Sequence, residues 1–271
     1  MADQNETRKI IDDNLSTVSN IIAVMSGKGG VGKTSIAVNL AYALEAKGKS
    51  VGLLDADFTG PNVPKMLGIE NETITADRNK IIPVKARNGI SVISTAFLYS
   101  DRDLPVIWRG PIKMQVINQF LGEVEWGKLD YLIIDLPPGT GDESLSIAQQ
   151  IPGANALIVT TPQDVALLDS RKSVTFAKQL NMNVLGIIEN MSGMKCPHCG
   201  KNIDLFKNGG GENAAKELGV NFLGRLPLDP HMVLAGDSGN PLIENDDSEI
   251  SSSFLEIVNE IEEILKNKGG N

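Results

Sequence analysis

Short, almost wholly apolar runs alternate along this chain with longer stretches whose apolar positions recur at helical spacing. IIAVM (Ile21 to Met25), VGLLDAD, YLIID, ALIVTT, VLGIIEN and FLGRLP are runs too short for helices and too uniformly apolar for a half-exposed strand, so they read as buried strands of a parallel sheet. Between them, SIAVNLAYALEAKG is rich in Ala and Leu and closes on Gly48, and DVALLDSRKSVTFAKQL has helical character. PIKMQVINQFLGEV places Ile112, Val116, Phe120 and Leu121 on one expected helix face. The C-terminal SSSFLEIVNEIEEILKNK does the same with Phe254, Ile257, Val258, Ile261, Ile264 and Leu265, which predicts a helix packed on the core. From Thr73 to Phe97 the pattern turns β-like, an insertion hairpin leading to a further core strand. Residues 1–19 read as a leader in which Ile10, Ile11, Leu15 and Val18 form a short docking helix, and residues 20–271 as one domain without repeats or linkers. Strand, helix and strand in alternation predict an α/β fold, doubly wound around a mostly parallel sheet.

Composition narrows the function. The 271 residues suffice for one large domain, and 41% hydrophobic with 22% charged residues is ordinary for a folded protein. The net charge of −9 and an aromatic content of 4% argue against a general grip on nucleic acid, which needs a basic face or stacking platform. No apolar stretch approaches the ~18 residues of a membrane span, and the polar N-terminal segment has no signal core. The two cysteines, Cys196 and Cys199, cannot staple a secreted scaffold, so the expected compartment is the reducing cytoplasm.

The loop after the first strand reads Gly27-Lys28-Gly29-Gly30-Val31-Gly32-Lys33-Thr34, followed by Ser35. This is G-x-x-x-x-G-K-[ST] between a strand and a helix, the context a phosphate loop requires. Glycines let backbone amides turn toward phosphate oxygens, and the helix N-terminus adds its dipole. Lys33 is expected to reach the β- and γ-phosphates, and the Thr34 hydroxyl to ligate Mg²⁺. SGKGGVGKT also resembles the deviant P-loop of the ParA, MinD, Mrp and nitrogenase iron-protein superfamily. That resemblance implies that Lys28 reaches across a dimer to the partner's nucleotide, much as an arginine finger does.

Acids close two of the strands. Asp55 and Asp57 end VGLLDAD and Asp135 ends YLIID, where carboxylates of adjacent parallel strands converge on the ligand crevice. Asp135 is the candidate for holding Mg²⁺ directly or through water, and Asp57 for orienting or deprotonating the attacking water. Asp55 supports either the metal or the fold. Phe58-Thr59-Gly60-Pro61-Asn62 and the Pro/Gly-rich segment from Leu136 to Asp142 follow these acids and resemble the superfamily's γ-phosphate switches.

Lys195-Cys196-Pro197-His198-Cys199-Gly200 is a C-P-x-C-G knuckle in which two thiolates can share one metal. Two ligands are half of the four that Zn²⁺ or an iron–sulfur cluster takes. A second C-x-x-C is missing from the sequence, so a complete thiolate site needs a symmetric dimer giving two plus two. A zinc site using His198, a redox dithiol and a metal-free knuckle are the other readings.

DADFTGPNVP, WRGP at Trp108 and Arg109, YLIIDLPPGTGD, TTPQDVALLDSRK, GIIENMSGMKCPHCGK and GRLPLD occur in that order over most of residues 20–240. Together they closely resemble the Mrp/ApbC-type iron–sulfur cluster carrier ATPases. The resemblance implies a homodimer that binds and hydrolyses ATP, holds a 4Fe-4S cluster between paired C-x-x-C motifs, and passes it from a cluster donor to apo iron–sulfur proteins. Carried over by position, Cys196 and Cys199 become cluster ligands, Asn190 an adenine contact, and the segment near Pro227 the wall of the base pocket. Asn62 stands where Ser is usual after Gly-Pro, and Thr34-Ser35 reverses the common order while keeping a hydroxyl at the Mg²⁺ position. Roles for Trp108 and Arg109 do not follow from the sequence. The competing readings are a MinD- or ParA-like positioning switch and an ATP-driven electron donor. The first wants a basic membrane-surface helix, whereas the last helix carries Glu256, Glu260, Glu262 and Glu263. The second uses two separated cysteines per subunit rather than one C-x-x-C.

Overall fold

The structure, a computed structural model, describes residues 2–78, 80–98, 109–151, 153–196, 198–240 and 248–268. Its centre is an eight-stranded sheet made by β1 (Val18–Ser26), β2 (Val51–Asp55), β5 (Val84–Lys85), β6 (Ser91–Ser94), β7 (Leu129–Asp135), β8 (Asn155–Thr160), β9 (Asn183–Glu189) and β12 (Phe222–Arg225), in the order β12-β9-β8-β1-β7-β2-β6-β5. Only the edge strand β5 runs antiparallel to its neighbour. The six central strands are as apolar as the sequence requires, because helices cover both faces. On one face lie α2 (Lys33–Ala46), α3 (Val63–Met66), α8 (Pro230–Ser238) and α9 (Glu249–Lys268). On the other lie α1 (Ala2–Leu15), α4 (Gly110–Gly122), α5 (Asp142–Gln150), α6 (Asp164–Gln179) and α7 (Gly210–Leu218). The expected insertion is present as a hairpin of β3 (Thr75–Asp77) and β4 (Lys80–Ile82). A second small hairpin, β10 (Met194–Lys195) with β11 (Asn202–Ile203), carries the cysteine knuckle.

Two expectations need correction at the N-terminal side. The leader helix ends at Leu15, and Val18 already belongs to β1, paired with Leu129. Ile11 and Leu15 are buried against α4, whereas Ile10 is 48% exposed. The Asn14 amide fixes this docking by donating to the Leu121 and Val124 carbonyls at 2.8 and 3.0 Å. In α4 the core face is formed by Ile117, Phe120 and Leu121; Val116 is half-buried and Ile112 is 46% exposed. Ile112 sits in the first turn of α4 and stays outside the buried face, so helical spacing alone extended that face too far. The last helix packs on the core as predicted: Phe254, Ile257, Val258, Ile261 and Leu265 are buried, Ile264 is half-buried, and Glu262 is buried in ion pairs with Lys47 and Lys49.

Candidate nucleotide site and cysteine knuckle

β1, β2 and β7 end together, and their register puts Asp55 opposite Asp135 and Val24 opposite Asp135. The glycine loop from Gly27 to Gly32 follows β1 directly and caps α2. Gly32 is its N-cap at φ 86°, and a Cβ there would lie 2.2 Å from the Asn190 amide nitrogen. Only glycine satisfies both the left-handed backbone and this approach. Asn190 follows β9 and is buried; its Nδ2 donates to the Val31 carbonyl at 2.9 Å, so it holds the loop in place. Its Oδ1 is buried without a hydrogen-bond partner.

Lys33 and Asp135 form a buried ion pair at 2.6 Å, and the Thr34 hydroxyl donates to the other Asp135 oxygen at 2.7 Å. Burial pushes the Asp135 carboxyl up, while Lys33 and Thr34 hold it down. Asp55 is also fully buried. It accepts from the Ser94 hydroxyl at 3.0 Å and from the N–H groups of Asp57 and Val63. Burial first, and then the Asp135 charge, push its carboxyl up to about 8 against those bonds. Asp55 therefore ties β2, β6 and the start of α3 together. Asp57 lies half-buried at the crevice. Its Oδ1 accepts from the Thr59 N–H, the Thr59 hydroxyl and the Gly60 N–H, which fixes the turn that follows. The second Pro/Gly segment is tied to the phosphate loop through the Gly139 N–H, which donates to the Ser26 carbonyl at 2.8 Å.

Lys28 donates to Gln163 Oε1 at 3.1 Å, which places it beside the first turn of α6. Ser35 is half-buried in the first turn of α2, where its carbonyl accepts from Asn39. On the far side of the loop, backbone bonds continue beyond β9 and β12: Leu226 N–H to Glu189 O, Ser192 N–H to Leu226 O and Leu228 N–H to Gly193 O, all 2.8–2.9 Å. They bring Pro227 alongside the segment just after Asn190. Pro227 and the residues through His231 line a cavity of about 500 Å³ that Cys196 also lines.

At the knuckle, the Cys196 N–H donates to the Lys201 carbonyl and the Gly200 N–H to the Cys196 carbonyl, both at 2.9 Å. Cys196 is half-buried and Cys199 exposed. The N–H groups of His198 and Cys199 and the Cys199 side chain lower the Cys196 thiol below its ordinary range, favouring the thiolate that binds metal. Among the described residues no group of three or more His, Cys, Asp or Glu is placed to hold a metal ion. Among the described residues one chain thus presents two thiols and no third ligand.

The model of the NUBPL iron-transfer P-loop NTPase family, within the ParA group, matches residues 17–262. The chain belongs to that family. An iron-sulfur cluster carrier protein of Methanocaldococcus jannaschii is 52% identical over 259 residues, 95% of this chain and 89% of that protein. A cytosolic Fe-S cluster assembly factor, CFD1, of Yarrowia lipolytica is 48% identical over 227 residues, 82% of this chain and 78% of its own. A nucleotide-binding protein of Archaeoglobus fulgidus, solved in complex with ADP, superposes with a TM-score of 0.78 at 38% identity, covering 89% of this chain and 94% of that one. The cell division ATPase MinD of Pyrococcus furiosus, at 24% identity and a TM-score of 0.65 over 91% and 99% of the two chains, shares the fold.

As a member of this P-loop NTPase family, the chain brings Lys33, Thr34, Asp135 and Asp57 to one crevice with the glycine loop, and puts Asn190 against that loop. It keeps Cys196 and Cys199 apart from the phosphate end, on the β10–β11 hairpin. Sequence reading missed the Lys33–Asp135 pair and the Asn190–Val31 bond, which join positions 102 and 159 residues apart. It also missed Glu189, fully buried and accepting from Ser192, Gly209 and Gly211, which anchors α7 beside the site. Its only signal was an acid ending an apolar strand. Pro197 and Trp108 lie outside the described residues; Arg109 is the exposed N-cap of α4.

Proposed function

We propose that this chain is a cytoplasmic, slow ATPase that carries a 4Fe-4S cluster between two copies of itself and passes it to apo iron–sulfur proteins. The observation that carries the reading is the half-site: two thiols in one turn, with no further ligand among the described residues, on a nucleotide-binding fold of the iron-transfer family. Cys196 and Cys199 from each copy supply the four thiolates a cluster takes. Exposed Val165 and Leu168 on α6, with Ile203 and Leu205 after the knuckle, give such a dimer apolar surface to bury. The Lys207–Asp164 ion pair joins these two elements at 2.6 Å.

The residues also suit the nucleotide. The unpartnered Asn190 Oδ1 is an acceptor for an amine such as that of adenine, and the Pro227 segment stands beside it. Mg²⁺ prefers oxygen ligands, which Thr34 and Asp135 supply together. When bound, Mg²⁺ would neutralise charge on the β- and γ-phosphates. Lys33 then exchanges its carboxylate partner for those phosphates. Asp57, held by its turn, orients a water toward the γ-phosphorus, and Lys28 of the partner subunit compensates the charge on the transferring group. Hydrolysis serves as a timer for cluster loading or release, so turnover is slow.

The test is transfer. Anaerobically reconstituted protein should restore an apo 4Fe-4S enzyme faster than equal iron and sulfide free in solution, and the Cys196→Ser/Cys199→Ser variant should not. Equal rates for the wild-type protein and free ions would refute the carrier reading.

A further inference from the structure

The cavity that holds Cys196 is bounded on one side by the N-terminal end of α8. Leu228, Asp229, Pro230 and His231 line it together with Cys196, Lys195 and Met194. Asp229 is the N-cap of α8. Its carboxylate accepts from the His231 N–H at 2.8 Å, and His231 Nδ1 lies 2.8 Å from the same oxygen. The Leu228 N–H donates to the Gly193 carbonyl, three residues before Cys196. This end of the helix is therefore fixed to the strand leading into the knuckle.

The other end of α8 is fixed to a different part of the site. Its C-cap Gly239 (φ 70°) meets Gly68 (φ 64°), two residues beyond α3, backbone to backbone. A Cβ on Gly239 would lie 2.5 Å from Gly68 Cα and 2.7 Å from Gly68 N, and one on Gly236 would lie 3.1 Å from Met66 Cε. α3 begins at the end of the turn that Asp57 organises, and the N–H of Val63, its first residue, donates to Asp55. A nine-residue helix thus spans from the C-terminal end of α3, whose other end adjoins the Asp57 turn, to the wall beside Cys196. Packed helices move as rigid bodies across such contacts rather than deforming.

Resting on the nucleotide-dependent carrier reading, we propose that α8 is the strut through which the nucleotide state of a subunit changes access to its own Cys196, with the Gly68–Gly239 contact as the joint. In this scheme a displacement of α3 as the Asp57 loop meets a γ-phosphate shifts α8 and opens or closes the wall at Asp229 to His231. Coupling of this kind is established only when both ends respond and the joint is necessary.

Cys196 alkylation by iodoacetamide reports the far end. In the metal-free, full-length Cys199→Ser protein, the rate should differ at least about threefold between saturating Mg-ADP and a non-hydrolysable Mg-ATP analogue. Adding Gly239→Ala should abolish that difference while leaving both nucleotide affinities, measured by calorimetry, within about twofold. If Gly239→Ala does not fold, Met66→Ala, which removes the neighbouring Met66–Gly236 contact between α3 and α8 without adding a clash, should reduce the difference by at least half. A nucleotide-dependent difference that survives in the folded joint variant overturns the proposal. So does equal alkylation in the parent when both nucleotides are shown to bind. Because the readout uses the free thiol, a failed cluster assay and a failed strut remain separate results.

Discussion

At the residue scale, the dominant feature is the buried pair of Lys33 and Asp135. Removing one partner of such a pair leaves an uncompensated charge in a low-dielectric setting, which costs about 3–5 kcal/mol. Lys33→Ala should therefore lower stability to urea by that order as well as weakening phosphate binding. Asp135→Asn added to it should recover much of the stability but none of the binding. A Lys33→Ala protein as stable as wild type would show that the pair is not buried as described. Asp55 gives a pH prediction. The folded state keeps its proton up to about pH 8, whereas the ordinary value is 3.8, so between these the folded state binds more protons and stability falls as pH rises. The contribution is complete below about pH 4 and lost through pH 8. Nucleotide-free wild type should lose more unfolding free energy between pH 5 and 8 than Asp55→Asn does; parallel curves would contradict the assignment.

At the element scale, motifs that act locally were legible and pairings across the chain were not. The glycine loop announces itself because its strand–loop–helix context is contiguous, and the acids do because each ends an apolar run. The last helix was legible for a similar reason: its six apolar positions follow one stripe. Phe254 is fully buried on that stripe. Phe254→Ala should cost about 3–5 kcal/mol by chemical denaturation, in the range of large-to-small core changes. A cost below 1 kcal/mol would mean that α9 is a peripheral helix. Ile112 shows where periodicity fails: a helical stripe can run on into an exposed first turn, and spacing does not say how much of it the neighbouring elements cover. Asn190 shows a second gap, because its bond to Val31 depends on how β9 and β1 are ordered in the sheet, which no local pattern encodes.

At the scale of the whole molecule, the sequence marks a parallel-sheet NTPase with half a thiolate site, and the structure adds where the two parts lie relative to each other. The glycine loop, Asp55, Asp57 and Asp135 gather at the ends of β1, β2 and β7, while the thiols stand on a separate hairpin beside the Pro227 segment and the start of α8. In the proposed reading, a symmetric pair of chains completes the metal site with two thiols from each copy. No helix among the described residues is long and apolar enough to cross a membrane. The most direct measurement is therefore iron and acid-labile sulfide per chain after strictly anaerobic reconstitution, with oligomeric state read on the same sample. The account predicts about two iron and two sulfide per chain in a dimer, one 4Fe-4S cluster shared by two copies, falling to background in Cys196→Ser and in Cys199→Ser. Four iron per chain in a monomer, zinc alone, or an unchanged cluster load in both variants would contradict it.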